Sequence, residues 1–189
     1  MGIRASATRE LVFQDCRVPE ENLIGREGMG FIITMKTFDK TRPGIGAQGV
    51  GLAQGALDAA IQYARERVQF ERKIISFQAI QHMLADMATQ IEAARALVYS
   101  VARFIDSDPR DFSKVSGMTK LFASDVAMRV TIDAVQIFGG YGFMREYPVE
   151  KMMRDAKILQ IYEGTNQIQR NVIGQELTRE SAGKKKVGT

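Results

Sequence analysis

Between Phe77 and Ile105 the apolar positions Phe77, Ile80, Leu84, Met87, Ile91, Ala94, Val98, Val101 and Ile105 recur at alternating intervals of three and four. That spacing lines them along one stripe of a helix that buries a single face in a bundle. Ser76 is placed to cap its start, and Asp106 to Pro109 ends it. A preceding helix is predicted over about Gly30 to Phe70, and it carries Gly44, Gly46, Gly49, Gly51 and Gly55. Each glycine costs a helix interior about 1 kcal/mol relative to alanine, so the cluster predicts a compensating close approach to a neighbouring helix. Pro43 allows a bend there. A third helix is expected over about Asp111 to Phe138, with Met118, Phe122, Val126, Val130 and Ile137 inward. Pro148 suits the first position of a short fourth helix ending near Leu159. The last helix follows Thr165 and turns Ile168, Val172 and Leu177 inward. The fold class is all-α, an antiparallel four-helix-type bundle.

Ahead of the helices the pattern changes. Leu11-Val12-Phe13-Gln14-Asp15-Cys16-Arg17-Val18-Pro19 reads as a strand ended by proline, after a polar Ala5-Ser6-Ala7-Thr8 segment. One or two strands make no stable sheet alone. Residues 1–27 are therefore expected to be a remnant of a β domain and its linker, 28–180 the helical bundle, and 181–189 a basic tail. A chain of 189 residues with 45% hydrophobic content can bury one good-sized core. Its 26 basic and 22 acidic residues leave a net charge of only +4, partly from Lys184-Lys185-Lys186, which argues against a nucleic-acid partner. Cys16 is alone, so no internal disulfide forms and a reducing compartment is allowed. With no signal-peptide pattern and no long uncharged apolar run, a soluble protein away from the membrane is expected. No metal site is expected, and His82, the sole histidine, falls beside the apolar seam as a packed or exposed residue.

The chemistry concentrates in Ile158-Leu159-Gln160-Ile161-Tyr162-Glu163-Gly164-Thr165-Asn166-Gln167-Ile168-Gln169-Arg170. Glu163 stands among apolar residues, and a carboxylate that loses hydration becomes a stronger proton acceptor. Gly164 lets a substrate approach the backbone, and Thr165 suits a helix N-cap that turns free N–H groups toward whatever lies beside Glu163. Taken by itself, a Glu-Gly-Thr triplet reads more simply as a solvated loop before an ordinary helix. The neighbouring words change that reading: Gln136-Ile137-Phe138-Gly139-Gly140-Tyr141-Gly142-Phe143, then Glu146-Tyr147-Pro148-Val149-Glu150-Lys151, Met153-Arg154-Asp155-Ala156-Lys157 and Ile161-Tyr162-Glu163-Gly164-Thr165. In this order and spacing they resemble the C-terminal signature of the acyl-CoA dehydrogenases, and the resemblance runs from Gly2 to about Glu180.

The resemblance implies that Glu163 removes the α proton of an acyl-CoA thioester while the β hydrogen leaves as hydride to N5 of FAD, giving the trans-2-enoyl-CoA of fatty acid β-oxidation. By the same resemblance Arg67 binds the FAD pyrophosphate of a neighbouring subunit, Phe70 packs near the adenosine half, and Gln78 is a further FAD contact. Gln136, Ile137, Phe138, Gly139 and Gly140 match residues that bind the partner's FAD, while Thr165, Asn166 and Gln167 match FAD contacts in the active site. Read structurally, Arg67 complements the negative end of a helix dipole and Gly139 caps a helix. Asp39 and Arg42, in Thr37-Phe38-Asp39-Lys40-Thr41-Arg42-Pro43, match residues lining the acyl-CoA channel, though charged residues on a helix also read as its wet face. Gly164 matches a substrate contact. Thr41 stands where some members carry the base instead, and no glutamate lies on that segment. The family usually has glycine where this chain has Glu71, so that carboxylate must turn to Arg72 or solvent to spare a pyrophosphate site.

The resemblance further implies an electron-transferring flavoprotein as partner and a homo-oligomer, tetramer or dimer. It places the protein in the cytoplasm of a bacterium or the mitochondrial matrix of a eukaryote. The fragment alone is expected to be inactive. The alternative is a non-catalytic, self-associating helical module, which the long seam and the glycine-rich helix suit equally well.

Overall fold

The computed structural model describes residues 1–109 and 111–184, with Gly183 and Lys184 described by their backbone alone. The end of the basic tail, Lys185 to Thr189, lies outside the described residues. Among these residues five α-helices form: α1 (Gly30–Glu66), α2 (Gln78–Asp106), α3 (Ser113–Phe138), α4 (Pro148–Leu159) and α5 (Asn166–Lys184). A two-stranded hairpin, β1 (Val68–Gln69) and β2 (Arg72–Lys73), joins α1 to α2, with Val68 opposite Lys73 and Gln69 opposite Arg72.

The packing of α1 on α3 explains two of the glycines, Gly46 and Gly49. A Cβ at Gly46 would stand 2.7 Å from the Thr119 methyl, and one at Gly49 would stand 3.0 Å from the Ala123 carbonyl. These two glycines let the helix backbones approach closely, whereas Gly44 and Gly51 face open space. The helix runs unbroken through the buried Pro43. The α3 side of this contact is correspondingly small. Ser116, Lys120, Ala123, Ala127, Val130, Ala134 and Ile137 are buried at alternating spacings of three and four. Phe122, expected inward, is 40% exposed, because the close approach leaves room for alanine and none for a ring. On α2 the predicted seam holds, with Met87, Ile91, Ala94 and Val101 buried and His82 exposed.

Three local expectations are corrected. Ser76 does not cap α2; its hydroxyl donates to the Lys73 carbonyl at 2.8 Å, inside a 3₁₀ turn over Ile74–Ser76, and Phe77 holds the cap position. Helix α1 ends at Glu66 rather than Phe70, because Arg67 turns extended to enter the hairpin. Leu11 to Pro19 forms no strand: a strand is held by ladder bonds to a neighbour, and among the described residues it has none. Leu11, Val12 and Phe13 are each more than two-thirds exposed. By contrast Met1 to Ile3 lie against α4, where the Ile3 N–H donates to Asp155 Oδ1 at 2.5 Å and Arg154 donates to the Met1 carbonyl at 2.7 Å.

Helices α4 and α5 together make the fourth rod of the bundle, both antiparallel to α3. Tyr147, before α4, packs on Phe138 at the end of α3, while Lys114, at the start of α3, pairs with Glu180 near the end of α5. The rod is interrupted at mid-height by the turn from Gln160 to Thr165.

Candidate active site

The interruption carries Glu163. The Ile161 and Tyr162 N–H groups close α4 on the Ile158 carbonyl at 2.9 and 3.0 Å, and the Asn166 N–H reaches back to the Gln160 carbonyl at 3.0 Å. Thr165 starts α5 as expected, its hydroxyl accepting the Ile168 N–H at 3.3 Å. Between these anchors Glu163 and Gly164 both take left-handed backbone, with φ of 52° and 90°. For a residue with a Cβ that conformation costs about 1–3 kcal/mol, so the surroundings must impose it.

They do so through two carbonyls. The Glu163 carbonyl accepts Arg42 Nε and Gln169 Nε2, both at 3.2 Å. The Gly164 carbonyl accepts Lys120 Nζ at 2.8 Å and Gln169 Nε2 at 3.0 Å. Arg42, Lys120 and Gln169 come from α1, α3 and α5, so three helices grip one turn. Arg42 is 3% exposed, and its guanidinium pairs with Asp39 Oδ1 at 2.6 Å. Asp39 is fixed in turn by the Ser113 hydroxyl at 2.6 Å. Asp39 and Arg42 thus support the turn, and Arg42 has almost no surface left for the substrate contact expected of it.

Lys120 is fully buried among the residues of the α3 seam. Its ammonium also donates to Asn166 Oδ1 at 2.8 Å. Burial pushes its pKa down to about 8, Arg42 adds repulsion, and Asp125 and Glu163 act in the opposite direction. Asn166 is 4% exposed, and its amide donates to Asp125 Oδ1 at 2.7 Å. Its side chain is therefore bonded inward, whereas Gln167 is exposed. Gln169 Oε1 is buried without a partner among the described residues.

The carboxylate of Glu163 stands on the outer side of this framework, half-buried, with Thr41 Oγ1 donating to Oε2 at 2.7 Å. Among the described residues the N–H groups of Glu163, Gly164 and Thr165 meet no acceptor. A proton acceptor and unpaired donors therefore share one turn. That set can remove a proton and hold the oxyanion that forms beside it.

A second group lies at the far end of α1. Tyr63 stacks on Phe138 with ring centroids 4.1 Å apart, and the Arg67 guanidinium lies 5.2 Å from the Tyr141 ring centroid. A cleft of about 590 Å³ opens there, lined by Arg67, Ile137, Phe138, Gly139 and Gly140 among others. Gly139 ends α3 at φ 61°, as the glycine cap predicts, and both glycines face open space. Gln136 is exposed on the last turn of α3, and Gln78 is exposed at the first position of α2. Phe70 is 86% exposed at the tip of the hairpin, edge-on to Phe77 at 6.2 Å. With Glu71 it forms a turn in which both residues are left-handed, at φ 50° and 63°. Glu71 points to solvent, since Arg72 lies over the Phe77 ring at 4.2 Å. At 1.5 Å per residue, Thr41 and Arg67 stand about 39 Å apart along α1. Glu163 and the Arg67 cleft therefore lie at opposite ends of α1.

The expected set thus divides between two places: Glu163, Gly164, Thr165, Asn166, Gln167, Asp39 and Arg42 at the broken rod, and Arg67, Phe70, Gln78 and Gln136 to Gly140 at or near the far end. Lys120 and Gln169 were not anticipated. For Lys120 a signal existed, a charge standing on the small-residue seam of α3.

Residues 28–178 match the family model described as acyl-CoA dehydrogenase, C-terminal domain. The short-chain specific acyl-CoA dehydrogenase of Megasphaera elsdenii is 54% identical over 179 residues, 95% of this chain and 46% of that protein. The solved butyryl-CoA dehydrogenase of the same organism superposes with a TM-score of 0.86 at 53% identity, covering 88% of this chain and 43% of that one. A chain from a structure of the electron transferring flavoprotein of Acidaminococcus fermentans matches with a TM-score of 0.86 and 57% identity, over 89% of this chain and 44% of that one. This chain spans about half the length of the curated relatives it matches.

Proposed function

The chain belongs to the acyl-CoA dehydrogenase family, and from that premise we propose that it is the C-terminal part of an FAD-dependent enzyme that dehydrogenates an acyl-CoA thioester between its α and β carbons. The carrying observation is the Glu163 turn, a carboxylate on strained backbone with unpaired N–H groups beside it. Glu163 takes the α proton. An α C–H of a thioester is too weakly acidic to yield unless the charge growing on the thioester oxygen is held, and the Glu163 N–H is the donor placed for it. The Thr41 hydroxyl holds one carboxylate oxygen and leaves the other to accept the proton. Gly164 keeps the backbone bare where the thioester approaches.

The residues present fit FAD at both ends of α1. Arg67 offers a planar fork suited to a pyrophosphate, Phe70 offers an exposed ring, and Gly139 and Gly140 leave open backbone for a flat group. Thr165 and Gln167 lie beside Glu163 for the active-site side. When bound, FAD would supply the hydride acceptor for the β carbon, with an electron-transferring flavoprotein as the partner that takes the electrons. Because the two sets of contacts are about 39 Å apart in one chain, each site takes Glu163 from one copy and Arg67 from another, so the working unit is a homo-oligomer, dimer or tetramer. By the family likeness, residues 1–27 would be the end of a middle β domain lying beside the flavin. Among the described residues no helix is long and apolar enough to cross a membrane. The setting is fatty acid β-oxidation, in bacterial cytoplasm or mitochondrial matrix.

Replacing Glu163 by Gln in the full-length protein tests the base. Acyl-CoA should no longer bleach the flavin, with a loss of at least about 100-fold, while FAD content and assembly stay intact. Unchanged bleaching would overturn the assignment of the base, and an intact full-length protein that acyl-CoA never bleaches would favour the assembly-module reading.

A further inference from the structure

Lys120 is the one fully buried charged side chain among the described residues. Arg42, its nearest counterpart, is neutralised by Asp39. Among the described residues no carboxylate comes within ion-pair distance of Lys120. The charged groups that face it are Arg42 from α1, Asp125 from α3 and Glu163 from the turn, and Asn166 of α5 is neutral. Burying an ammonium without a paired carboxylate costs several kcal/mol, and an apolar residue of similar volume would fill the space without that cost. What an apolar residue could not do is donate to the Gly164 carbonyl. Without that donor the carbonyl would keep only the Gln169 amide, and the two-residue left-handed turn would lose one of its three grips.

We infer that Lys120 is a positioning residue for Glu163: its ammonium holds the Gly164 carbonyl and the Asn166 side chain so that the turn keeps its left-handed course, and it supplies positive field beneath the Glu163 carboxylate. This rests on the reading of Glu163 as the base. Lys120 touches neither substrate nor cofactor. It acts through the backbone of Gly164 and through charge. The two contributions separate by substitution. Gln at this position keeps a donor and loses the charge, whereas Met loses both.

The experiment compares Lys120→Gln, Lys120→Met and Glu163→Gln in the full-length FAD-loaded enzyme, by single-turnover flavin reduction. For Lys120→Met the reduction rate should fall about 100-fold with acyl-CoA affinity changed less than about threefold, the pattern expected when a reacting group is misplaced by about an ångström. For Lys120→Gln the loss should be smaller, about tenfold, because glutamine keeps a donor for the Gly164 carbonyl and loses only the charge. A packing role alone would give glutamine no advantage over methionine. Rates within threefold of wild type in both Lys120 variants, with Glu163→Gln dead, would overturn this inference and leave the base assignment standing. Activity in Glu163→Gln would overturn the base assignment itself.

A second readout needs no Lys120 variant. In the ¹⁵N-lysine-labelled protein, Glu163→Gln should move the Lys120 ammonium signal, because the replacement removes a charge that faces it. A signal indifferent to that replacement would overturn the charge component, and it decides the matter if the Lys120 variants do not fold.

Discussion

The two ends of α1 are built on opposite plans. Around Thr41 and Arg42 the charged side chains are tied to neighbours within the same chain, and three helices hold the strained Glu163 backbone in place. Around Arg67 the cleft is floored by stacked rings but roofed by nothing, with Phe70 exposed and two glycines facing open space. The first arrangement does its work by exclusion of freedom. The second is a surface waiting for contact. On the proposed reading, the first plan suits a group that must meet a C–H at one angle, and the second suits a binding edge that another copy would complete.

The difference should show first in pH dependence. Lys120 belongs to the buried end, where burial holds its pKa near 8 against the ordinary 10.5. Between those values the unfolded chain keeps a proton that the folded chain has released, so folding stability rises with pH across that window, by up to about 3 kcal/mol. Thermal or urea unfolding at pH 7.5 and pH 10 should show the rise in wild type and lose it in Lys120→Met. Parallel behaviour of the two proteins would mean the amine is not held by burial.

Glycine substitutions separate the ends next. At Gly164 a Cβ meets both the φ of 90° and Gln169 Nε2 at 2.8 Å, so Gly164→Ala should destabilise by about 2 kcal/mol. Gly140→Ala, in open space, should change stability by less than about 0.5 kcal/mol while weakening FAD retention. Equal unfolding losses at the two sites would erase the contrast. Arg67→Met should weaken FAD binding about tenfold, read by titration of flavin fluorescence, with unfolding unmoved. The smallest effect belongs to the hairpin tip. Glu71 holds φ 63° without being glycine, so Glu71→Gly should stabilise the protein by about 1 kcal/mol.

The same contrast explains what the sequence made legible. Helix spans, the Gly139 cap, the Thr165 cap and the α2 seam follow from local periodicity and end chemistry, which sequence displays directly. The inward face of α3 was misread because large apolar residues draw the eye, whereas Gly46 and Gly49 bring the helices so close that alanines make the seam. Glu163 stood out by its surroundings, but its grip did not. Arg42, Lys120 and Gln169 are 78 and 49 positions apart in succession, and only folding brings them to one turn. Asn166, matched to a cofactor contact, proves to be bonded inward to Asp125 and Ser124. Side-chain direction at a helix start depends on what the neighbouring helix offers.

The central claim is that each site joins the Glu163 end of one copy to the Arg67 end of another, and mixed oligomers test it most directly. Glu163→Gln and Arg67→Ala subunits, each impaired in its own oligomer, are co-expressed with different tags and the hybrids isolated. A two-copy site predicts that hybrids recover about half of wild-type activity, because one site in each pair then receives both intact residues. Hybrids no more active than the average of the two parents would contradict it and place Glu163 and Arg67 within one chain's site.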